Sequence, residues 1–557
     1  MRLDGRDDFN STGRYSIIGG LCVCLYVYIW DRITQTLVSA TLSKLVRAHA
    51  EYKCVKSKSG CIESTRVRIQ DSIIAHLTKR KNRFVWLRGS PGIGKTAISM
   101  SVASTLDSKG VLAASFFWDK NQVGSGLDSL DLFPSTLARQ LAAFSDYYRI
   151  TLFKHLRQPS LDDVQGFTIE RQMKALILDP MHEMREWLSL DENHWVIILD
   201  GLDECGNPGV LEKLMGIVLM LDELPPKFTV LISCRPERQL HAAWADFRDV
   251  PCEDIDKTDD YQKFFTIRRI VGQGLNKTIQ TSLWKPSPED LDEFARSCHG
   301  LPILATIRVR DVRDRAQRGS TLAEEFQYLR NIPRPVGDID EEYLRILRRA
   351  YVFESEEDPV AKKYRLVIGS IIAAKKPLSI HTMSRLLGIT KEAVLGALEP
   401  ISSIVDLSSS NNAPPKFYHA TFKEFITGKP QGNEEDTMYF IDDPKGACLG
   451  LPILKLLNNF LNQNVPNQPP LGHPDTWKGF LSQSSKDIPD HVQYAGKYLH
   501  SHLDLSKPLP GSQELRAEFK CFCTKNLLSF FAWQSLVERH PYDHYNKLSA
   551  EFNRIEV

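Results

Sequence analysis

A phosphate-binding loop at residues 89–96 constrains this chain more than any other segment. It reads Gly-Ser-Pro-Gly-Ile-Gly-Lys-Thr and matches the pattern G-x-x-x-x-G-K-[ST] at every fixed position. Glycines let backbone N–H groups turn inward around a phosphate, Lys95 can reach the β- and γ-phosphates, and the Thr96 hydroxyl can ligate Mg²⁺. An apolar segment at 83–88 predicts a buried strand before the loop.

The segment after the loop predicts a helix whose positive N-terminal end faces the phosphates. The loop therefore predicts a nucleotide site. The alternative is a glycine-rich turn between a strand and a helix that binds no ligand. The residues expected to hold the nucleotide are Gly89, Pro91, Gly92, Gly94, Lys95, Thr96 and Ala97.

Short apolar strands alternate with helical stretches from about residue 62 to residue 245. This alternation is typical of an α/β domain in which helices cover both faces of a parallel sheet. The predicted strands are 83–88, 112–118, 194–200 and 228–233, and two of the predicted helices are 134–145 and 168–189.

A cluster of acids follows the third of these strands, where residues 195–204 read Trp-Val-Ile-Ile-Leu-Asp-Gly-Leu-Asp-Glu. A phosphate loop needs a carboxylate to hold Mg²⁺, usually at the end of a neighbouring strand, and we assign Asp200 to the metal together with Thr96. Asp203 or Glu204 can orient or deprotonate an attacking water. The alternative is an acidic surface loop after a core strand.

Arg235 directly follows the fourth predicted strand. Strand ends in such a sheet face the ligand crevice, so a guanidinium there can sense or stabilise the γ-phosphate. The alternative is a solvated or salt-bridged arginine. The predicted catalytic residues are Asp200, Asp203, Glu204 and Arg235.

Helical periodicity dominates the chain after residue 255. Residues 359–427 read as a helix, a helix–turn–helix and a hairpin, which is a winged-helix pattern. The second helix of that turn, 391–398, carries one basic and one acidic residue, which favours packing against protein over reading DNA. We predict five parts: an N-terminal segment of unknown role (1–55), a nucleotide-binding domain (56–250), a helical domain (251–350), a winged helix (351–430) and a helical C-terminal region (431–557).

Composition narrows the partners and the compartment. With 70 basic and 69 acidic residues the net charge is +1, so bulk attraction to nucleic acid or to an anionic membrane is not expected. Eleven scattered cysteines favour reduced thiols in a cytoplasmic protein. The apolar run at 17–30 is shorter than the roughly 20 residues that span a bilayer. A buried element is favoured there, with a signal anchor through residues 15–30 or a wrongly placed gene start as alternatives.

These motifs together resemble the NACHT-type signalling NTPases of the STAND class, in the fungal form whose N-terminal part is nephrocystin-3-like. The apolar strand ending Asp200-Gly-Leu-Asp203-Glu204 is the most characteristic match, and residues 60–66 resemble the Cys-x-x-x-Thr-Arg segment of the fungal members. The resemblance implies that Pro302, in a Gly-x-Pro motif, contacts the adenine. It also implies that His419, in a His-x-[ST]-Phe-x-[DE]-Phe segment, reaches the β-phosphate of ADP and holds a closed state.

The resemblance implies a nucleotide-operated switch with ATP or ADP and Mg²⁺ as cofactors, although the sequence does not distinguish ATP from GTP. Exchange of ADP for ATP would expose surfaces for homo-oligomerisation and for an effector protein that the sequence does not identify. The fungal members act in non-self recognition and programmed cell death. Two alternatives stay open: a conventional P-loop ATPase or kinase, and a scaffold that binds nucleotide only for stability.

Overall fold

A parallel β-sheet forms the centre of the N-terminal half of the computed structural model. Its strands are β1 (Phe84–Arg88), β2 (Leu112–Phe117), β3 (Trp195–Asp200), β4 (Phe228–Cys234) and β5 (Cys252–Asp254). They lie in the order β2-β3-β4-β1-β5, and every neighbouring pair is parallel. The described residues are 35–55, 58–79, 82–186, 194–206, 208–236, 250–332, 339–355, 357–407, 413–443, 447–464, 488–503 and 512–531.

Apolar strand residues alternate between two hydrophobic clusters, one on each face of the sheet. Phe84, Phe116 and Ile197 belong to one cluster, whereas Val85 and Val196 belong to the other. Side chains of successive strand residues point to opposite faces, so a strand that is apolar throughout requires cover on both sides. The predicted fold class, a parallel sheet between two layers of helices, is confirmed.

The helices of this half are short to medium in length. They are α1 (Val67–Leu77), α2 (Lys95–Ser108), α3 (Phe133–Phe144), α4 (Asp146–Leu156), α5 (Ile169–Met173), α6 (Asp179–Glu183) and α7 (Pro208–Leu219), and residues 35–43 are also helical. The helix predicted at 168–189 is interrupted by a π-helical turn at Lys174–Leu178. Helices α1 and α2 cover one face of the sheet, and α3 to α7 cover the other.

A helical region follows the sheet, as the periodicity predicts. Its helices are α8 (Asp260–Thr281), α9 (Pro288–Ser297), α10 (Pro302–Gln317), α11 (Leu322–Arg330) and α12 (Ile339–Ala350). Helices α8 to α11 share a hydrophobic cluster around Val271 and Phe326. Helix α10 extends beyond it, since Ile303 and Ile307 pack into the cluster of the next part of the chain.

The rest of the described chain is helical apart from one small hairpin. The elements are α13 (Pro359–Ala373), α14 (Ile380–Leu387), α15 (Lys391–Leu398), β6 (Val405–Asp406), β7 (Lys416–Phe417), α16 (Ala420–Ile426), α17 (Gly450–Asn464), α18 (Asp490–Tyr498) and α19 (Ser512–Cys521). We call residues 359–426, from α13 to α16, the hairpin module. One hydrophobic core joins it to α17–α19, so residues on both sides of the predicted boundary at 430 contribute to this core.

Two sequence predictions differ from the structure in detail. The strands predicted near 401–406 and 416–420 are only two residues long, and β5 was not predicted. Three residues are too few to show a pattern, and β5 is held by its pairing with β1 at the sheet edge. The apolar run 17–30 lies outside the described residues. No helix within the described ranges is long and apolar enough to cross a membrane.

Candidate nucleotide-binding site

The phosphate-binding loop connects β1 to α2 in a conformation that requires glycine. Gly92 and Gly94 have φ values of 72° and 99°, in the left-handed region that other residues rarely adopt. Lys95 is the first residue of α2, and its Nζ donates to the carbonyl oxygens of Gly89 at 2.7 Å and Ser90 at 3.1 Å. The loop thus closes around the lysine amino group. Burial lowers the pKa of Lys95, and the Asp203 carboxylate opposes that effect.

Asp200 is the last residue of β3 and is fully buried. Neither of its carboxylate oxygens has a hydrogen-bond partner among the described residues, and neither has the hydroxyl of Ser233, its register partner on β4. Buried polar groups are almost always paired, so these unpartnered acceptors indicate a place for a cation or a bound ligand. The donor set of one carboxylate and two hydroxyls, with Thr96 supplying the second, fits Mg²⁺.

The expectation that Asp200 lies on the strand next to the phosphate loop is wrong. Strand β4 lies between β1 and β3 in the sheet. The end of β4 therefore faces the crevice between the loop and the acid. Ser233, near the end of β4, and Arg235, just after it, therefore lie in the site.

Glu204 lies in the turn after β3 and is poised to exchange a proton near neutral pH. Burial, opposed by the Lys58 ammonium and reinforced by the carboxylates of Asp119 and Asp203, raises the pKa of Glu204 to about 7. The Nζ of Lys58 lies 4.0 Å from a Glu204 carboxylate oxygen and donates to the carbonyl of Trp118 at 2.6 Å. A carboxylate with this pKa is suited to accept a proton from water.

Asp203 orients Arg235 at the end of β4. Its two carboxylate oxygens accept from the Arg235 backbone N–H at 3.1 Å and from the guanidinium Nε at 2.8 Å. The arginine is therefore salt-bridged, as one of the two interpretations predicts, and it also lines the cavity that contains the phosphate loop.

His419 enters from the hairpin module as the cap of helix α16. Its Nδ1 accepts from the backbone N–H of Thr421 at 3.2 Å and lies 2.7 Å from the Thr421 hydroxyl. Because a backbone N–H can only donate, the ring proton is carried by Nε2. Burial, together with nearby cations such as Arg235 and Lys95, lowers the pKa of His419 to about 3. The ring is a neutral donor at physiological pH.

A hydroxyl chain fixes this state of the ring. The Tyr343 hydroxyl lies 2.8 Å from Thr421 Oγ1. When the Thr421 hydroxyl donates to His419 Nδ1, it is free to accept from Tyr343. The chain of donors runs from Tyr343 through Thr421 to His419 and leaves only the Nε2–H of the ring available to a ligand.

A single cavity of about 440 Å³ collects most of the predicted residues. It lies between the carboxyl end of the sheet, α10 and the hairpin module. The predicted residues that line it are Pro91, Gly92, Gly94, Lys95, Thr96, Ala97, Asp203, Glu204, Arg235, Pro302 and His419. Gly89 and Asp200 are not among the residues that line it, although Gly201, which follows Asp200, is. The apolar part of the wall is supplied by Pro302, Ile303, Ile307, Ile404 and Phe417.

Residues 68–235 match the sequence profile of the family described as nephrocystin 3, N-terminal. This match includes the phosphate loop, the acids after β3 and Arg235. The chain contains a P-loop nucleotide-binding domain. No curated protein matches the chain.

Several solved structures of P-loop ATPases are similar to the chain at low identity. The Walker-type ATPase PABY2304 of Pyrococcus abyssi is 12% identical with a TM-score of 0.33, covering 66% of this chain and 98% of that chain. Cdc6p from Pyrobaculum aerophilum is 14% identical with a TM-score of 0.31, covering 66% and 94%. Drosophila ORC bound to DNA is 11% identical with a TM-score of 0.28, covering 62% and 81%. Likeness at these TM-scores is too distant to indicate a function.

Several residues around the P-loop domain were not predicted from the sequence. Lys58, Asp119, Asn121, Ser233 and Arg310 all line the cavity. Asp119 and Asn121 follow β2, and Ser233 lies in β4, so the rule that strand ends face the crevice would have found them. Lys58 lies before α1, away from any strand end, and carries no comparable signal.

The P-loop approaches α10 so closely at Gly92 that a side chain there has no room. A Cβ at Gly92 would lie 2.3 Å from the Ile303 side chain, and the Ile303 backbone N–H donates to the Gly92 carbonyl at 3.3 Å. We expect Gly92→Ala to weaken ADP binding about 10-fold or more, because the loop must move away from α10 and strain its left-handed residue. Isothermal titration calorimetry measures this change.

The matched control for this substitution is Gly216→Ala, which adds the same methyl group to the exposed face of α7. Apart from the backbone of α7 itself and the two neighbouring residues, no atom of the described residues lies within 4 Å of that position. It should leave ADP affinity unchanged and raise stability slightly, since alanine favours helix. Equal ADP affinities for the two variants would show that Gly92 is not under the constraint described.

Proposed function

We propose that this protein is a nucleotide-operated switch that binds ADP or ATP with Mg²⁺ and hydrolyses ATP slowly. The observation that carries the proposal is that Lys95 and His419, more than 300 residues apart, line one cavity. A nucleotide bound there would touch both the P-loop domain and the hairpin module. Its phosphates would then join two parts of the chain, so its identity would govern how firmly they are held together.

Each residue has a definite role in this proposal. Lys95 and the loop N–H groups hold the phosphates, and the Nε2–H of His419 donates to a phosphate oxygen of ADP. The oxygens of Thr96, Asp200 and Ser233 hold Mg²⁺, which when bound neutralises phosphate charge. Glu204 accepts the proton of the attacking water, and the Lys58 ammonium favours its ionised form against the effect of burial. Pro302 and the apolar wall receive the base.

The finer proposals follow the resemblance to NACHT-type STAND proteins. One of them is the division into parts that end at residues 55, 250, 350 and 430. In this division residues 351–430, which contain the hairpin module, form a winged helix. ATP-bound copies would form a homo-oligomer and engage an effector protein, with no role for nucleic acid and with the protein in the cytoplasm. The signalling role would be that of the fungal members, non-self recognition or programmed cell death. Support comes from the His419 segment and the acidic motif ending at Glu204.

A continuously working ATPase is the second candidate, and the state of Glu204 favours it. A carboxylate whose pKa is about 7 is well matched to proton transfer at neutral pH. Turnover separates the two candidates: a switch is expected to hydrolyse ATP well below the roughly 1–10³ s⁻¹ of typical enzymes.

Two His419 variants test the switch. His419→Ala removes both the ring and the cap of α16, whereas His419→Asn keeps a good helix cap but is too short to reach a phosphate. We expect both variants to weaken ADP binding by about 10- to 50-fold and ATP binding much less, because a hydrogen bond to a charged group is lost. Equilibrium binding of fluorescent ADP and ATP analogues measures the two affinities and therefore their ratio.

Thermal unfolding of the same variants separates binding from folding. His419→Asn should unfold near the wild-type temperature, since the Thr421 N–H keeps an acceptor. If His419→Asn binds ADP and ATP with the wild-type affinity ratio, the ring has only a capping role and the proposed bridge does not exist.

A further inference from the structure

Glu424 joins the hairpin module to the phosphate end of the P-loop domain. It lies on α16, one turn beyond His419, and its Oε2 accepts from Arg235 Nη1 at 2.9 Å. Its other oxygen, Oε1, forms an ion pair with Lys120, which follows β2. One carboxylate therefore holds two cations that come from the carboxyl ends of two different strands.

These two cations lie in a region crowded with positive charge. Burial, together with the positive charge of Arg235, lowers the pKa of Lys120 to about 8. Arg235 and Lys120 are also among the cations whose charge acts on His419, together with Lys95 and Lys58. The carboxylates of Asp203 and Glu204 offset part of this positive charge, and Glu424 adds an anion contributed by the hairpin module.

The Arg235 guanidinium forms ion pairs with two carboxylates that come from different parts of the chain. Its Nε and backbone N–H are fixed by Asp203, which belongs to the same domain. Only the Nη1 contact reaches Glu424, whose side chain is 39% exposed while that of Arg235 is 16% exposed. The Asp203 contacts can therefore persist while the Glu424 contact is exchanged for another anion.

We propose that Glu424 is an internal substitute for the terminal phosphate of a nucleoside triphosphate. This inference rests on the proposed function and adds the means by which the site tells a triphosphate from a diphosphate. With a diphosphate bound, Glu424 keeps Arg235 and Lys120 and the module stays closed. The terminal phosphate of a triphosphate competes for the same two cations, with more charge and more acceptor oxygens than a carboxylate, and displaces Glu424.

The hairpin module has other attachments that this exchange leaves intact. The Ser402 hydroxyl donates to Asp314 at 2.7 Å and accepts from Arg318 at 2.9 Å, and the Arg310 guanidinium lies 3.4 Å from the centre of the Tyr418 ring. These contacts are made with α10 and with the residue that follows it. Displacement of Glu424 thus removes an ionic link between the module and the P-loop domain, while these contacts with the helical region remain.

Affinities for ADP and for β,γ-imido-ATP, both with Mg²⁺, test the proposal on the full chain. Glu424→Gln keeps the shape of the side chain but removes its charge. We expect it to bind the triphosphate analogue about 3- to 30-fold more tightly relative to ADP than the wild type does, since the competitor is weakened. Glu424→Asp keeps the charge and should remain nearer to the wild-type ratio.

Ser402→Ala is the matched control, because it loosens the same module without altering a cation near the phosphates. Its affinity ratio should equal that of the wild type. A wild-type ratio for Glu424→Gln, or a change of equal size for Ser402→Ala, would overturn the proposal. If Glu424→Gln keeps the wild-type ratio of triphosphate to ADP affinity while His419→Ala changes it, Glu424 does not compete with the terminal phosphate, but the proposed switch still stands. If the wild-type chain binds neither nucleotide, the proposed function fails and takes this inference with it.

Discussion

Asp200→Asn is expected to lower the rate of Mg²⁺-dependent ATP hydrolysis by about 10³-fold without destabilising the nucleotide-free protein. Loss of the carboxylate removes the charged ligand for the metal. The same change removes a buried charge whose two oxygens have no hydrogen-bond partner among the described residues. A buried carboxylate that has no hydrogen bond is costly, so we expect the free energy of unfolding without ligand to stay the same or rise.

Two measurements on this variant check both halves of the expectation. Phosphate release gives the rate, and thermal unfolding with and without Mg²⁺ and ADP gives the stability. A ligand stabilises the folded state in proportion to the logarithm of its concentration over its Kd, so the gain from Mg²⁺ and ADP should shrink in Asp200→Asn.

Asp222→Asn is the matched control for charge removal, since Asp222 pairs with Arg83 just before β1. This pair lies at the amino ends of the parallel strands, whereas the cavity lies at their carboxyl ends. It should hydrolyse ATP at the wild-type rate. A large loss of ligand-free stability in Asp200→Asn would contradict the account, because it would mean that Asp200 is held by the protein itself.

Lys95→Ala is expected to weaken both ADP and ATP by about 100-fold or more. The lysine is buried at the centre of the phosphate loop, and a charge-assisted contact to a phosphate in such a place is among the strongest that one side chain makes. Both nucleotides should be affected because both carry the β-phosphate. Calorimetric titration with each nucleotide measures the loss.

Lys109→Ala serves as the control, since it removes an exposed lysine just after the other end of α2. It should bind both nucleotides as the wild type does. Retention of the wild-type ADP affinity by Lys95→Ala would place the nucleotide away from the loop.

Much of the P-loop domain could be predicted from the sequence because its signals are local. The four predicted strands agree with the structure to within one residue at each end, since each is an apolar run between polar segments. The loop at 89–96 and the acids after β3 are motifs with fixed spacing, because binding a phosphate and a metal requires particular residue types at particular positions. Helix α15 agrees with its prediction at both ends, and Thr390 caps its N-terminus.

The rest depends on contacts between distant parts of the chain. No short sequence pattern predicts that β4 lies between β1 and β3. Nor does one predict that Glu424 forms an ion pair with Arg235, which is 189 residues away. The low pKa of His419 depends on burial and on cations that lie far from it in the sequence, and the Tyr343–Thr421 contact forms only when the hairpin module packs against α12. Strand β5 is too short to leave a pattern and forms only through its pairing with β1.

The central claim is that the nucleotide decides between two states of one chain, and native mass spectrometry of the purified full chain tests it most directly. We predict a monomer that carries ADP, and a shift to a defined oligomer when ADP is exchanged for β,γ-imido-ATP with Mg²⁺. Lys95→Ala should carry no nucleotide and should not shift. A wild-type chain whose assembly is the same with either nucleotide would contradict the switch.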